Sequence, residues 1–193
     1  MQTRLLLVSH ALTAALRGGA FPDDEPLDAR GAADTAAYAQ RAPFPRDATV
    51  LTSPASCARD TAQALGLTPA VVPELAGTDH GHWRGRRLAE LAAEAPDALD
   101  AWLTDPGAAP PGGESFTEVV ARVGRWLDTL TLSGTVVAIT HAPVIRAAII
   151  HALRATPAAF AHIEIPPLST VELRRSARGW AWWPAPVAAA ASV

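Results

Sequence analysis

Short apolar runs alternate with amphipathic stretches along the chain. An apolar run bounded by polar residues is typical of a buried strand, and this pattern occurs at residues 3–9, 48–53, 70–75 and 134–140. Residues 169–183 have the pattern of a final hairpin. Because the strands alternate with helical segments, we predict an α/β fold, a three-layer sandwich whose mostly parallel sheet carries helices on both faces.

Helix-start signals mark the segments between these strands. A capping side chain, proline in the first turn and a Ser-x-x-Glu capping box all favour helix initiation. The signals are Asp28 before residues 29–42, Ser53 with Pro54 before a helix that continues to residue 65, and Ser115 with Glu118 before the clearest amphipathic helix. We predict one domain over residues 1–183, with a helical insertion at about 84–112 and a flexible tail at 184–193.

Two histidines stand directly after predicted strands. His10 follows the first strand, and His141 follows the apolar run 134–140. Ligands of open parallel sheets bind beyond the carboxyl ends of the strands, so we expect both imidazoles in one pocket. Imidazole carries out acid, base and nucleophilic chemistry near neutral pH.

Six stretches, in this order, resemble the histidine phosphatase superfamily, which includes the cofactor-dependent phosphoglycerate mutases. They are LLLVSHALT, DEPLDARG, TSPASCARDTAQAL, LAGTDHGHWRG, PGGES and ITHAPVIRAAIIHAL. The resemblance runs from residue 3 to about residue 182 and implies a phosphoglycerate mutase-like fold. It also implies a mechanism in which a histidine attacks phosphorus, two arginines clamp the phosphoryl group and a carboxylate protonates the leaving oxygen.

Position by position, the resemblance places His10 on the nucleophile and His141 on the second histidine. The two arginine positions hold Ser9 and Cys57, and the general-acid position holds Gly77. Because one preorganised donor to developing charge is worth about 10²–10³ in rate, losing both arginines should cripple phosphoryl transfer. We therefore expect that His10 no longer accepts a phosphoryl group.

Two carboxylates are candidates to support the histidines. Asp79 lies two residues after the lost acid position and is the candidate surviving acid. Glu114 matches a position at the pocket rim of the family and is expected to orient a histidine or a substrate hydroxyl. The predicted catalytic set is His10, His141, Asp79 and Glu114, and the predicted substrate contacts are Ser9, Arg17, Cys57, Trp83 and Thr140.

Three functions remain open at this point. Two histidines without clamping cations suit acid–base chemistry on a small molecule, of isomerase, lyase, cyclase or hydrolase type, and this is the first hypothesis. The second is a weak or specialised phosphomonoesterase that forms a phosphohistidine at His10, with Arg17 and the amides of a helix N-terminus holding the phosphate. The third is a non-catalytic pseudophosphatase that binds a ligand or a partner.

Cys57 is the single cysteine, so the chain has no internal disulfide. A thiol beside two histidines can act as a nucleophile, or it can complete a tetrahedral metal site with Asp79. A free cysteine more often fills space in a core, so we predict no metal ion and no other cofactor. His80 and His82 are expected at the pocket rim.

Composition narrows the partners further. The chain has 193 residues, 49% hydrophobic and 18% charged, as in globular proteins. Its net charge of −3 argues against binding to nucleic acid or to an anionic membrane, and no apolar run is long enough to span a bilayer. We expect a soluble cytoplasmic protein that acts on a small molecule, and the resemblance also admits a homodimer.

Overall fold

Six strands form one sheet in the computed structural model, which describes residues 2–41 and 44–184. They are β1 (Thr3–Ser9), β2 (Thr49–Thr52), β3 (Ala70–Val71), β4 (Gly134–Thr140), β5 (Thr170–Ser176) and β6 (Gly179–Trp183), in the spatial order β3-β2-β4-β1-β5-β6. The β3-β2, β2-β4 and β4-β1 pairs are parallel, while β1-β5 and β5-β6 are antiparallel. The predicted mostly parallel sheet and final hairpin are thus confirmed.

Helices cover both faces of this sheet. The described helices are α1 (Ala14–Arg17), α2 (Ala29–Arg41), α3 (Ser56–Ala64), α4 (Leu88–Glu94), α5 (Pro96–Thr104), α6 (Phe116–Thr129) and α7 (Ala142–Leu153), of which α2, α3, α6 and α7 pack on the sheet. Side chains alternate across a strand, so Leu5 and Leu7 of β1 pack in the core that contains α6 and α7. Leu6 and Val8 pack in a second core with Ala58 and Ala62 of α3. The architecture is the predicted three-layer α/β sandwich.

Two helix starts agree with the sequence signals, and one does not. Asp28 accepts the amide N–H of Gly31 at the start of α2, and Ser115 with Glu118 forms the predicted capping box of α6. The prediction that Ser53 caps the next helix is wrong, because α3 begins at Ser56 with Ala55 as its N-cap. The Ser53 hydroxyl instead accepts the amide N–H of Ala55, just before the helix.

The predicted strand over residues 70–75 is shorter than expected. Only Ala70–Val71 pairs with β2, and Pro73–Leu75 forms a 3₁₀ turn. Proline has no amide N–H to give to a sheet and its φ is fixed, so Pro73 ends the strand. The turn directs the following residues across the carboxyl ends of the strands.

The insertion has a small core of its own. Helices α4 and α5 lie there, and Leu91 and Leu99 are buried with Phe21 and Trp83. In the described part of the chain, no helix is both long and apolar enough to cross a membrane. Apart from Pro184, the predicted tail at 184–193 lies outside the described residues.

Candidate functional site

His10 and His141 lie side by side because their strands are neighbours in register. Ser9 of β1 is paired with Thr140 of β4, so the residue after each strand emerges at the same edge of the sheet. The amide N–H of His10 donates to the carbonyl of Thr140 at 2.9 Å. The two imidazole centroids are 4.8 Å apart in an edge-to-face arrangement, and each residue is 8% exposed. The structure therefore brings together the two histidines that sequence reasoning selected.

One nitrogen of each imidazole is held by a fixed partner. Nδ1 of His10 is 2.7 Å from the carbonyl oxygen of Ala11, which only accepts, so Nδ1 donates its proton and Nε2 keeps a lone pair. Nε2 of His141 is 2.8 Å from Oγ of Ser53. That Oγ also accepts the amide N–H of Ala55 at 3.2 Å. Ser53 is buried and orients His141, a role hidden by its resemblance to a helix cap.

Burial keeps both imidazoles neutral at neutral pH. The pKa of His10 is lowered by desolvation, although its hydrogen bond to Ala11 and the charge of Glu25 oppose that effect. Burial lowers the pKa of His141 well below its ordinary value, and electrostatic interaction with His10, Arg122 and His80 lowers it further. Neutral imidazoles offer lone pairs to a proton or to a metal ion, and they give a phosphate no positive charge.

Cys57 is the third member of this cluster. It lies in the first turn of α3, is 6% exposed, and offers Sγ within 4.8 Å of one ring nitrogen of each histidine. Desolvation and then the charge of Glu25 raise the pKa of its thiol to about 12. Because the thiolate is the nucleophilic form, Cys57 is not an activated nucleophile in this environment.

The two predicted carboxylates bind other partners. Oδ1 of Asp79 accepts the amide N–H of Gly81 at 2.8 Å and a guanidinium N–H of Arg84 at 2.7 Å. The carboxylate of Glu114 forms two hydrogen bonds, at 3.0 and 2.9 Å, with Arg122. Within residues 2–41 and 44–184, neither carboxylate forms a hydrogen bond with His10 or His141. Their assignment to catalysis stays a prediction.

Gly77 packs directly against His141. A Cβ at position 77 would lie 3.1 Å from the imidazole of His141, a separation so short that the ring would have to move. The missing side chain at the family's acid position is thus matched by an imidazole that occupies the adjacent space. A side chain at position 77 therefore requires a shift of a few tenths of an ångström at His141 or in the backbone of residue 77.

Arg17 is held by partners other than the histidines. Its guanidinium donates to the carbonyl of Leu12 at 2.8 Å and forms an ion pair with Asp28. An inward swing would break both contacts. The predicted role of Arg17 as a replacement cation therefore gains no support from its hydrogen bonds.

Ser9, Thr140 and Trp83, which were predicted to contact the substrate, are all buried. Ser9 and Thr140 are buried at the ends of their strands, and Oγ1 of Thr140 donates to the carbonyl of Leu75 at 2.7 Å. Trp83 is buried against the insertion and packs at 6.1 Å between ring centroids with Trp102. These contacts tie the loop of residues 75–83 to the sheet and to α5.

Glu25 is a neighbour of the site that sequence reasoning missed. One carboxylate oxygen accepts the hydroxyl of Thr13 at 2.6 Å, and the other accepts the amide N–H of Asp23 at 2.9 Å. Its charge acts on both His10 and Cys57. The acidic run at residues 23–25 could have pointed to Glu25. A run of charges in a loop has no periodicity, however, so the sequence does not show which residues it lies near.

Replacing Glu25 with glutamine should lower the pKa of His10 further. The carboxylate stabilises the imidazolium, so its removal favours the neutral ring. The measurement is the titration of the His10 ring protons by NMR, with Asp23→Asn as a control that removes one charge from the same loop. An unchanged or raised His10 pKa in Glu25→Gln would contradict the electrostatic contact.

Two open clefts elsewhere on the described surface do not include the pair. One is lined by His151, Arg175 and Trp180 among others, and the second by Tyr38 and Arg41 among others. Neither contains His10 or His141. Because His10 and His141 are each 8% exposed, little of either side chain reaches solvent.

Comparison with known proteins gives a consistent result. The family model described as "Histidine phosphatase superfamily (branch 1)" matches residues 5–183. The bifunctional protein Rv2228c of Mycobacterium tuberculosis is 39% identical over 106 residues, which are 51% of this chain and 29% of that protein. The glucosyl-3-phosphoglycerate phosphatase of the same species is 44% identical over 69 residues, which are 34% of this chain and 31% of that protein. The chain thus matches only about 30% of the length of these curated relatives.

Solved structures extend the likeness to almost the whole chain. The protein TTHB049 from Thermus thermophilus has a TM-score of 0.71 at 31% identity, covering 88% of this chain and 92% of that one. The structure of mycobacterial glucosyl-3-phosphoglycerate phosphatase Rv2419c with VO3 has a TM-score of 0.82 at 28% identity, covering 93% and 96%.

Proposed function

We propose that this chain, which belongs to the histidine phosphatase superfamily, is a small-molecule enzyme. In it, His10 and His141 carry out acid–base chemistry on an uncharged substrate. The reason is that the chain holds Ser9 and Cys57 where the resemblance expects the two arginines that clamp the phosphate. One observation carries the proposal: the two buried imidazoles lie 4.8 Å apart between ring centroids, and the charge that acts on His10 from Glu25 is negative, whereas a phosphatase needs cations there. Phosphoryl transfer depends on positive charge around the phosphate oxygens.

The arginines nearest the site are engaged elsewhere. Arg122 is close enough to lower the pKa of His141, but its guanidinium is shared between the Glu114 carboxylate and the carbonyls of Glu74, Ala76 and Gly77. Arg17 is bound to Leu12 and Asp28, as described above. A phosphate entering the site would therefore find neither guanidinium free.

The hydrogen bonds of the histidines suit proton transfer. His10 is the base, because its Nδ1–H is fixed on Ala11 and Nε2 keeps its lone pair. When Nε2 takes a proton from the substrate, the Glu25 carboxylate stabilises the resulting imidazolium. His141 is anchored by Ser53 and orients the substrate or supplies a hydrogen bond to it. This pair serves an isomerisation, an elimination, a cyclisation or a hydrolysis equally well.

Glu114 is a positioning residue in this proposal. Through Arg122 it holds the segment of residues 74–77, and Gly77 of that segment packs on His141. Asp79 is placed to bind substrate polar groups together with Arg84, since its carboxylate is 46% exposed. Ser9, Cys57, Trp83 and Thr140 form the wall of the site.

The proposal is tested by calorimetric titration with vanadate and with inorganic phosphate. We expect no binding in the micromolar range to the natural chain or to His10→Ala. A thermal-shift screen with uncharged metabolites should then give hits that stabilise the natural chain and not His10→Ala or His141→Ala. Micromolar vanadate binding that disappears in His10→Ala would overturn the proposal in favour of a phosphatase.

A weak or specialised phosphomonoesterase is the second candidate, and one observation favours it. Two relatives, each 44% identical over 69 residues, carry the name glucosyl-3-phosphoglycerate phosphatase. A phosphatase of this kind would use His10 as phosphoryl acceptor with backbone amides as its anion donors. The same vanadate titration separates it from the first proposal. A pseudophosphatase would not bind vanadate, and any uncharged metabolite that stabilises it would be recovered unchanged after incubation with the protein.

A further inference from the structure

We infer that His10, Cys57 and His141 together form a binding site for a zinc-class metal ion, with two imidazole nitrogens and one thiolate as ligands. The sequence alone favoured Cys57 as a space-filling residue. The structure instead places its sulfur against both histidines.

The geometry of the three side chains is that of a preassembled ligand set. One donor atom from each residue lies within 4.8 Å of the others, and all three residues are buried. Zn²⁺ binds nitrogen at about 2.0–2.1 Å and thiolate sulfur at about 2.3 Å. Tetrahedral ligands at those lengths are separated by roughly 3.3–3.8 Å. Side-chain rotations that move the donor atoms by about 1 Å therefore bring the three ligands into place, with water as the fourth ligand.

The donor atoms lack competing partners. In the part of the chain that the structure describes, the Cys57 thiol makes no hydrogen bond, although the residue is 6% exposed. Each imidazole has one nitrogen bound to a neighbour, His10 to the Ala11 carbonyl and His141 to Ser53. Metal-binding histidines characteristically hold their second nitrogen in this way. The second nitrogen of each ring forms no hydrogen bond within the described residues.

The surrounding charge favours a cation over an anion. Glu25 and Asp24 both act on Cys57 electrostatically, and Glu25 acts on His10. Arg122 on the other side is paired with Glu114, so its charge is largely compensated. The replacement of a clamping arginine by Cys57 thus removes a positive charge and adds a soft ligand at the same point.

Binding changes the protonation of one ligand. The Cys57 thiol releases its proton to solvent as the sulfur–metal bond forms, and the two neutral imidazoles donate lone pairs without losing a proton. Because the ion takes the lone pairs that proton transfer requires, the metal-bound state and the proposed acid–base activity exclude each other. The site stands independently of that activity, since its test contains no substrate.

The experiment is a titration of the metal-free protein with Co²⁺, followed by displacement with Zn²⁺. We expect a thiolate-to-cobalt charge-transfer band in the near ultraviolet, saturating at one ion per chain and lost on addition of one equivalent of Zn²⁺. Cys57→Ser should lose the band, and its Zn²⁺ affinity should fall by at least about 100-fold, more than the loss of an outer-shell partner costs. Ser53→Ala should weaken Zn²⁺ binding by roughly 10-fold while keeping the band.

His151→Ala is the matched control, because His151 pairs with Asp128 away from this site and offers an adventitious imidazole–carboxylate pair. It should leave the band and the affinity unchanged. Thermal unfolding of each variant without metal establishes that it is folded. Absence of the charge-transfer band in the folded natural chain, or an equal band in folded Cys57→Ser, would overturn the inference.

Discussion

The double variant Ser9→Arg/Cys57→Arg is expected to bind vanadate and to hydrolyse p-nitrophenyl phosphate with a kcat/KM at least about 10²-fold above that of the natural chain. Each charged donor to the phosphoryl oxygens is worth about 10²–10³ in rate, and both are supplied in one step. The side chain at position 57 points at the histidines, because Cys57 Sγ lies within 4.8 Å of a nitrogen of each. Steady-state kinetics and calorimetry measure the gain.

Two features should limit this gain. Position 77 still lacks an acid, so substrates with poor leaving groups should remain nearly inert, while p-nitrophenolate leaves without protonation. The Glu25 carboxylate is expected to pair with the new guanidinium at 57 and compete with phosphate. Adding Glu25→Gln to the double variant should therefore raise vanadate affinity again.

Two control variants test whether the gain comes from arginines at positions 9 and 57 in particular or from any added positive charge. Adding His10→Ala to the double variant should abolish the activity, and Ser56→Arg, at a half-buried position in the same helix turn, should produce none. Positions 9 and 57 are buried, so the melting temperature must show that the double variant is folded. A folded double variant that neither binds vanadate nor turns over would show that the lost arginines do not explain the altered site.

The arrangement of strands and helices was predictable because it depends on local periodicity. The apolar runs at residues 3–9 and 134–140 became adjacent parallel strands, and this adjacency alone placed His10 beside His141. Helix α6 followed from its capping box and apolar face. The strand at 70–75 was overestimated because a proline inside an apolar run competes with the strand signal, and tertiary pairing decided its length.

Side-chain partners within the site were much less predictable. Ser53 carries a helix-cap signature, yet its hydroxyl meets an imidazole 88 residues away in sequence. Glu114 is held by Arg122, a helix residue that no motif singled out. Such contacts depend on which loops fold over the sheet edge, and local patterns carry no information on that. The cytoplasmic location, the homodimer and the catalytic roles of Asp79 and Glu114 stay predictions.

Arg122→Met should lower the free energy of unfolding by about 2–3 kcal/mol, the largest loss we expect from a single substitution near the site. Arg122 and Glu114 are 20% and 18% exposed, and the guanidinium also binds the carbonyls of Glu74 and Ala76 at 2.6 and 3.1 Å. Methionine fills much of the volume but leaves a largely buried carboxylate without its counter-charge. Urea denaturation measures the loss.

The same denaturation experiment separates a buried pair from an exposed one. Arg84→Met breaks the ion pair with Asp79, whose side chains are 53% and 46% exposed, and should cost no more than about 1 kcal/mol. Glu114→Gln/Arg122→Met should recover part of the stability lost in Arg122→Met, because the amide carries no charge to leave unpaired. If Arg122→Met costs no more than Arg84→Met, then Arg122 does not secure residues 74–77, and Gly77 must be held against His141 by the Thr140–Leu75 hydrogen bond and by packing alone.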